Sequence, residues 1–235
     1  MMSDFPIPEE LRASHFQWDV PFSVPPARLG DPDLGEYKAL HVRPSGNAKK
    51  WAEALRDHQN LEYRSVWTGY SPQSLFDSIA SITTLTHLAF GNLRAADISG
   101  LANLKQLQYL SIASLSSAST LKPLTQLSDL ISLSIGISRK ITSLEDFSDN
   151  LLHSLRALHL GESSERVVTV DSMDPLGELR SLEYLALGRI RSSDKLLAGL
   201  LKLPRLKSLE IDKNARFCGD DINRLRSEGV LISKV

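Results

Sequence analysis

Residues 85–112 read LTHLAFGNLRAADISGLANLKQLQYLSI and contain one short pattern twice, 22 residues apart. In this pattern, apolar residues occupy the first, fourth and sixth places, as in Leu85, Leu88 and Phe90. A strand turns alternate side chains to opposite faces, so the fourth and sixth residues share one face. The segment therefore predicts a half-buried strand that recurs after each short return segment.

The same frame occurs eight times from Tyr37 to Ile211, and 23 of its 24 places are apolar. Successive frames begin after 24, 24, 22, 23, 25, 27 and 24 residues, which is typical of the coils of a stacked solenoid. The frames are Tyr37/Leu40/Val42, Leu61/Arg64/Val66, Leu85/Leu88/Phe90, Leu107/Leu110/Ile112, Leu130/Leu133/Ile135, Leu155/Leu158/Leu160, Leu182/Leu185/Leu187 and Leu206/Leu209/Ile211. Because an unpaired buried charge is costly, we expect Arg64 to extend outward or to pair with Glu62 or Asp77.

These units resemble the leucine-rich repeat family, whose LxxLxL strands stack in parallel into a curved sheet. The resemblance covers about Tyr37 to Val235, and the shortest units look most like the 22–24-residue repeats of bacterial stand-alone arrays. It implies an α/β fold, namely a right-handed solenoid with about eight parallel strands on its concave side and short helices or 3₁₀ turns on its convex side. It also implies a non-catalytic module that binds another protein, such as a toxin or an effector, in an immunity (toxin-neutralising) or adaptor role.

The chain is predicted to contain a proline-rich N-terminal segment, residues 1–36, and a repeat domain, residues 37–235. Six of the eleven prolines lie in the first 34 residues, where no helical or strand period survives. This segment is either an extended cap over the first coil or a docking tail, and the alternating residues Phe16, Trp18, Val20 and Phe22 favour the cap. A C-terminal cap is predicted at about 218–235, with one more helical turn and a final short strand.

The return segments differ along the chain. Ser45, as a helix N-cap before Ala48, Trp51 and Leu55, predicts a helix that ends near His58. A second helix is predicted to start at Pro72, and the later, shorter segments predict 3₁₀ or short helical turns. Insertions in residues 138–143 and 162–170 lengthen the loops that follow two strands.

One departure from the family concerns the third residue after each frame, where its members usually place Asn or Cys. The residues at that place are Ser45, Gly69, Leu93, Leu115, Ser138, Ser163, Ile190 and Asn214. Only the last conforms, so we expect the turns to satisfy their backbone groups by other means.

The residues between the frame positions should line the concave face, because they point away from the core. They form a floor of small residues with aromatic and histidine side chains, and tyrosine and tryptophan are among the residues that dominate binding energy in protein interfaces. The candidate partner-binding residues are Tyr63, Trp67, His87, Tyr109, His159, Tyr184, Arg189 and Glu210. Strand propensity alone also favours tyrosine, and the glycines at the seventh place can simply serve tight turns.

No catalytic, cofactor-binding or metal-binding set is recognisable in the sequence. The six histidines are scattered, and the run Gly46 to Lys50 lacks the rest of a phosphate-binding loop. The formal charge of −1 disfavours nucleic acid, which is the weakest of three hypotheses and would use a basic cluster near the C-terminus. That cluster is Lys202, Arg205, Lys207, Lys213 and Arg216. The remaining alternative is a substrate-recognition component that works with a separate enzyme.

The single cysteine, Cys218, cannot form an internal disulfide, and the sequence has no Asn-x-Ser/Thr glycosylation site. A reducing compartment, the cytoplasm, is therefore predicted. No apolar run approaches the roughly 20 residues that span a bilayer, so no membrane partner is expected.

Overall fold

The computed structural model describes residues 39–44, 46–57, 64–149, 151–161 and 167–234. The predicted N-terminal segment, residues 1–36, and the predicted helix cap Ser45 lie outside the described residues. Within the described part, nine parallel strands form the main sheet, and each strand pairs with the strand of the next coil. They are β1 (Ala39–Val42), β2 (Ser65–Ser71), β3 (His87–Leu93), β4 (Tyr109–Ile112), β5 (Ser132–Gly136), β6 (Ala157–Gly161), β8 (Tyr184–Gly188), β10 (Ser208–Ile211) and β11 (Leu231–Lys234).

The middle residue of each frame forms one buried column through the solenoid. Leu88 pairs in register with Leu110, Leu110 with Leu133, and Leu133 with Leu158, and each side chain is at most 2% exposed. Burial of this leucine side chain contributes about 2 kcal/mol in each coil. The column confirms the predicted solenoid, since each coil's apolar face is covered only when its neighbour stacks on it.

The second frame was predicted wrongly, by two residues. Val66 pairs with both Leu40 and Leu88, so Val66 occupies the middle place and Thr68 the last. Arg64 is therefore exposed outside the core, which avoids the desolvation of its guanidinium. Because the side-chain period of a strand is two, the shift keeps every residue on its face but moves it along the strand. Trp67 consequently holds the fifth place of its coil.

The convex side changes from α-helix to 3₁₀-helix along the array, as predicted. The first two coils return through α1 (Ala48–Asp57) and α2 (Gln73–Ala80), which directly follows Pro72. Trp51 and Leu55 of α1, and Phe76 and Ile79 of α2, are buried at helical spacing. The following coils return through 3₁₀-helices at Ser99–Asn103, Lys122–Gln126, Glu145–Phe147, Asp174–Glu178 and Ala198–Lys202. Before β11 the chain forms α3 (Gly219–Ser227).

Main-chain hydrogen bonds replace the side-chain ladder at the turns after the strands. The N–H of Leu93 donates to the carbonyl of Ser114 over 2.8 Å, and that of Leu115 to Gly136 over 2.7 Å. The N–H of Ile137 donates to the carbonyl of Gly161 over 2.7 Å. Leu93 and Leu115 are at most 1% exposed and fill the place usually taken by Asn or Cys with an apolar side chain, and Ile137, one residue before Ser138, is buried to the same extent.

Further along the array, these turns form a second, two-stranded parallel sheet. It consists of β7 (Val168–Val170) and β9 (Ile190–Ser192), with Thr169 directly opposite Arg191. The side chains of Val168, Val170 and Ile190 are buried, whereas those of Thr169 and Arg191 are exposed. Val168–Val170, the end of the predicted insertion 162–170, therefore form a strand of a separate second sheet.

Candidate functional site

Two rows of side chains line the concave face of the main sheet, as its pairing register requires. The third places are held by Ala39, Ser65, His87, Tyr109, Ser132, Ala157, Tyr184, Ser208 and Leu231, and the fifth places by His41, Trp67, Ala89, Ser111, Ser134, His159, Ala186, Glu210 and Ser233. Most of the small residues are buried, so they form a smooth floor. The larger side chains rise from this floor and define the surface that a ligand meets.

Four aromatic rings lie together on β1 to β4, and we call His41, Trp67, His87 and Tyr109 the aromatic cluster. The rings of His41 and Trp67 meet edge to face, with centroids 4.0 Å apart. Those of His87 and Tyr109 stack at 4.6 Å with an interplanar angle of 15°. Trp67 and His87 are diagonal neighbours, because Ser65 lies opposite His87 in the register. The two ring pairs are thus adjacent on one side of the sheet.

Hydrogen bonds fix the two histidines of the aromatic cluster. The Nε of Arg43 donates to Nε2 of His41 over 3.4 Å, and Oγ1 of Thr86 lies 2.9 Å from Nδ1 of His87. Burial lowers the pKa of His87, so its imidazole is neutral at pH 7. Trp67, His87 and Tyr109 are each only partly buried. His41 is only 1% exposed and packs against the edge of Trp67, so the ring surface that the cluster presents comes from Trp67, His87 and Tyr109.

His159 stands apart from the aromatic cluster, on β6. Its Nδ1 lies 3.1 Å from the Oγ of Ser134, and a Cβ at Gly188 would approach its Nε2 to 3.1 Å. The side chain is exposed in the trough, yet the surrounding protein removes part of its hydration and lowers its pKa. His159 and His87 are three strands apart, roughly 14 Å, too far to share a metal ion.

Tyr184 faces the concave side as predicted but presents little surface. It is only 8% exposed, packs against Ala157 and Ile131, and has the Nζ of Lys207 5.9 Å from its ring centroid. Its ring therefore supports the sheet more than it offers contact area.

The glycines of the seventh place also differ from the expected turn role, since a Cβ at Gly161 would lie 2.3 Å from the carbonyl oxygen of Gly188.

The remaining candidates lie outside the aromatic cluster. Glu210 is partly buried at the fifth place of β10, near the other end of the sheet. Arg189 is exposed between β8 and β9 with a φ of 53°, so it belongs to the rim and not to the two concave rows. Tyr63 lies outside the described residues. His41 was missing from the predicted site, although its fifth place in the first frame could have suggested it.

Glu183 links three coils beside Tyr184. The Nε of Arg156 donates to its Oε1 over 2.7 Å, and the Nζ of Lys207 donates to its Oε2 over 2.6 Å. The hydrogen bond from Arg156, aided by Lys207 and opposed by partial burial, lowers the pKa of Glu183 from 4.5 to about 2. Arg156, Glu183 and Lys207 directly precede β6, β8 and β10, so the carboxylate links the starts of these three strands.

This pairing predicts an acid-sensitive contribution to stability. Because the unfolded carboxyl binds its proton at higher pH than the folded one, the contribution is present above pH 4.5 and is lost as the pH falls to about 2. We expect about 1 to 2 kcal/mol, since solvent screens Arg156 and Lys207. Urea unfolding at pH 6 and pH 2.5 should show a smaller loss of stability in Glu183→Gln than in the wild type.

Glu178→Gln is the matched control for this measurement. Glu178 also pairs with two cations, Arg180 and Lys202, but its side chain is 31% exposed against 9% for Glu183, so solvent screens its pairs more and the control should keep the wild-type pH dependence. An unchanged pH dependence in Glu183→Gln would show that the linkage between the coils does not depend on this carboxylate.

Across the described residues, no three His, Cys, Asp or Glu side chains come together as a possible metal site. The same part of the chain has no helix that combines the length and apolarity required to cross a membrane.

Comparisons with known proteins identify the fold. No family model matches the chain, and no curated protein matches it as a relative. Internalin F of Listeria monocytogenes has a similar structure, with a TM-score of 0.60 and 21% identity over 85% of this chain and 61% of its own. Internalin C2 of the same species has a TM-score of 0.53 and 20% identity, and the match covers 78% of this chain and 75% of its own. TLR13 in its complex with ssRNA13 has a TM-score of 0.52 and 17% identity, but the match covers only 27% of that chain.

These likenesses concern architecture, and they agree with the sheet and the buried column described above. The chain spans about three fifths of internalin F and three quarters of internalin C2. Parallel strands stacked coil on coil, with short helices on the opposite side, are the common feature. The chain is therefore a leucine-rich repeat protein in its fold.

Proposed function

We propose that this chain is a non-catalytic module that binds a partner protein in its concave face, with the aromatic cluster as the main contact. The observation that carries the proposal is the grouping of three partly exposed rings, those of Trp67, His87 and Tyr109, on β2 to β4 beside a floor of small, buried residues, with the buried His41 packed against Trp67. Aromatic side chains supply large contact areas with little loss of side-chain entropy, and they are enriched among the residues that dominate binding energy.

The size of the sheet supports a macromolecular partner. Nine strands spaced about 4.8 Å apart give a surface roughly 38 Å long, comparable with a partner patch of about 800 Å². The rings are already held by each other and by Thr86 and Arg43, so binding orders few side chains. An open trough of this kind suits a folded domain better than a small metabolite, which needs a more enclosed pocket.

Nucleic acid is less well supported as the main partner. The net charge is −1, and two members of the predicted basic cluster, Lys202 and Lys207, pair with Glu178 and Glu183. A phosphate backbone requires an extended track of cations, which such pairing interrupts. The structure of TLR13 with ssRNA13 shows RNA bound to that protein, and it does not extend RNA binding to this chain.

The narrower role proposed here is that of a cytoplasmic immunity or adaptor protein, whose partner is a toxin or an effector. It follows from the resemblance to bacterial stand-alone arrays. A recognition subunit for a separate enzyme is the alternative. The two differ in an observable way, because a substrate captured for an enzyme is chemically altered after binding, whereas a neutralised toxin remains intact in a stable complex.

The proposal can be tested by side-chain footprinting of the complex. The partner is first purified from the native host with the tagged chain, identified by mass spectrometry and produced separately. Hydroxyl-radical labelling of the reconstituted complex should then show reduced modification of Trp67 and Tyr109. Tyr70, which is 40% exposed outside the concave rows, is the internal control and should keep its labelling. Protection of Tyr70 with Trp67 and Tyr109 unchanged would contradict the concave site.

A further inference from the structure

A basic pocket lies at the rim of the array, away from the two concave rows. It has a volume of about 560 Å³ and is lined by Thr169, Arg191, Ser192, Ser193, Lys195, Asn214 and Arg216. These residues come from the second sheet, from the loop after β9 and from the loop after β10. Three cations and four neutral side chains with hydrogen-bonding groups therefore surround one concavity.

The fold holds two of the cations in place. Arg191 lies opposite Thr169 in the register of β7 and β9, and its Nε donates to the Thr169 Oγ1 over 3.0 Å. This bond orients the guanidinium on a strand and not on a mobile loop. Lys195 has a φ of 59°, and its carbonyl accepts the N–H of Cys218 over 2.8 Å, which ties it to the next coil. A left-handed backbone at a lysine is uncommon and needs such support.

The nearby carboxylates are engaged with the backbone. The Oδ1 of Asp194 accepts the N–H of Leu196 over 2.9 Å, and that of Asp212 accepts the N–H of Asn214 over 2.7 Å. Neither aspartate lines the pocket. Among the described residues, no carboxylate lies within ion-pair distance of Arg191, Lys195 or Arg216. The lining thus carries three formal positive charges and no formal negative one.

We propose that this pocket binds a phosphate monoester group. A dianionic phosphate offers three acceptor oxygens, which match guanidinium and ammonium donors together with the surrounding Ser, Thr and Asn groups. A nucleic-acid backbone fits less well, because the cations converge on one pocket and do not form a track. The monoester is carried either by a small phosphorylated molecule or by a phosphorylated side chain of a protein, and the pocket is open enough for both. This inference does not depend on the proposed concave site.

The test is a titration of the full-length chain, followed by backbone amide NMR, with phenyl phosphate as the probe. We expect saturable shifts at residues of the pocket, with a Kd of about 1 mM or tighter. Dimethyl phosphate, a monoanionic diester, should bind at least about tenfold more weakly. A phosphoserine peptide and its unphosphorylated form are titrated in the same way. If the phosphate is carried by a protein, the phosphopeptide must bind and the unphosphorylated peptide must not. If it is carried by a small molecule, the phosphopeptide need not bind.

Variants decide whether the pocket is responsible. Arg191→Gln and Arg216→Gln should each weaken phenyl phosphate binding by about tenfold, because each removes a charge-assisted hydrogen bond. Arg205→Gln, which removes an exposed cation that does not line the pocket, is the matched control and should leave the Kd unchanged. Absence of saturable binding, equal weakening by all three variants, or preference for a 12-nucleotide single-stranded RNA over phenyl phosphate would each overturn the proposal.

Discussion

Replacing Gly161 by alanine should lower the free energy of unfolding by about 3 kcal/mol, because the new methyl group has no room between two coils. A Cβ at this position would lie 2.3 Å from the carbonyl oxygen of Gly188, and 3.0 Å from its carbonyl carbon. Those atoms belong to the backbone of a paired strand, so relief requires the two strands to separate. Urea unfolding monitored by far-UV circular dichroism would measure the change.

Gly69→Ala is the matched control, since Gly69 holds the same seventh place on β2. A Cβ there would meet only the Trp67 ring, at 4.0 Å, which is an ordinary contact. We expect a change of at most about 0.5 kcal/mol. Equal destabilisation by both substitutions would mean that the spacing of neighbouring coils does not limit the residue at this place.

Trp67→Ala and Tyr109→Ala should each reduce the affinity for the partner protein by at least about tenfold, or about 1.4 kcal/mol. Each substitution removes a large ring and also leaves its neighbour, His41 or His87, without the ring that orients it. Surface plasmon resonance with the identified partner would measure the Kd of each variant.

Tyr70→Ala is the control for these two variants. Tyr70 is an exposed tyrosine whose ring contacts the guanidinium of Arg94, 5.5 Å from the ring centroid, and it lies outside the concave rows. Its loss should change the Kd by less than about twofold. Thermal melting of all three variants separates a binding defect from loss of the fold. If Tyr70→Ala weakens binding as much as the two cluster variants while all remain folded, the partner does not use the concave face selectively.

Much of the fold could be predicted from the spacing of leucines, because in a solenoid each local pattern is also a tertiary contact. The column through Leu88, Leu110 and Leu133 follows directly from the repeat of the frame. The second coil could not be placed in this way. Leu61 and Val66 offered an apparently good frame, and only the cost of burying Arg64 indicated that the strand starts two residues later.

The candidate site could be predicted only in part, because exposure depends on neighbours that the sequence does not reveal. Side-chain alternation correctly placed His87 and Tyr109 on the concave side, but not the extent to which Ala157 and Ile131 cover Tyr184. The basic pocket was missed for a related reason. It forms between loops of unequal length, and no periodic pattern indicates that Arg191 and Arg216 belong to one concavity.

The turns after the strands have a consequence for how such an array can evolve. At Leu93, Leu115 and Ile137, neighbouring coils are joined by main-chain hydrogen bonds and by buried apolar side chains, so these three turns need no polar side chain at their borders. A coil can then be duplicated or deleted as a cassette without restoring a matched pair of polar residues at its borders. Addition or removal of one coil would then change the length of the main sheet by one strand, about 4.8 Å, and leave the contacts within the other coils as they are.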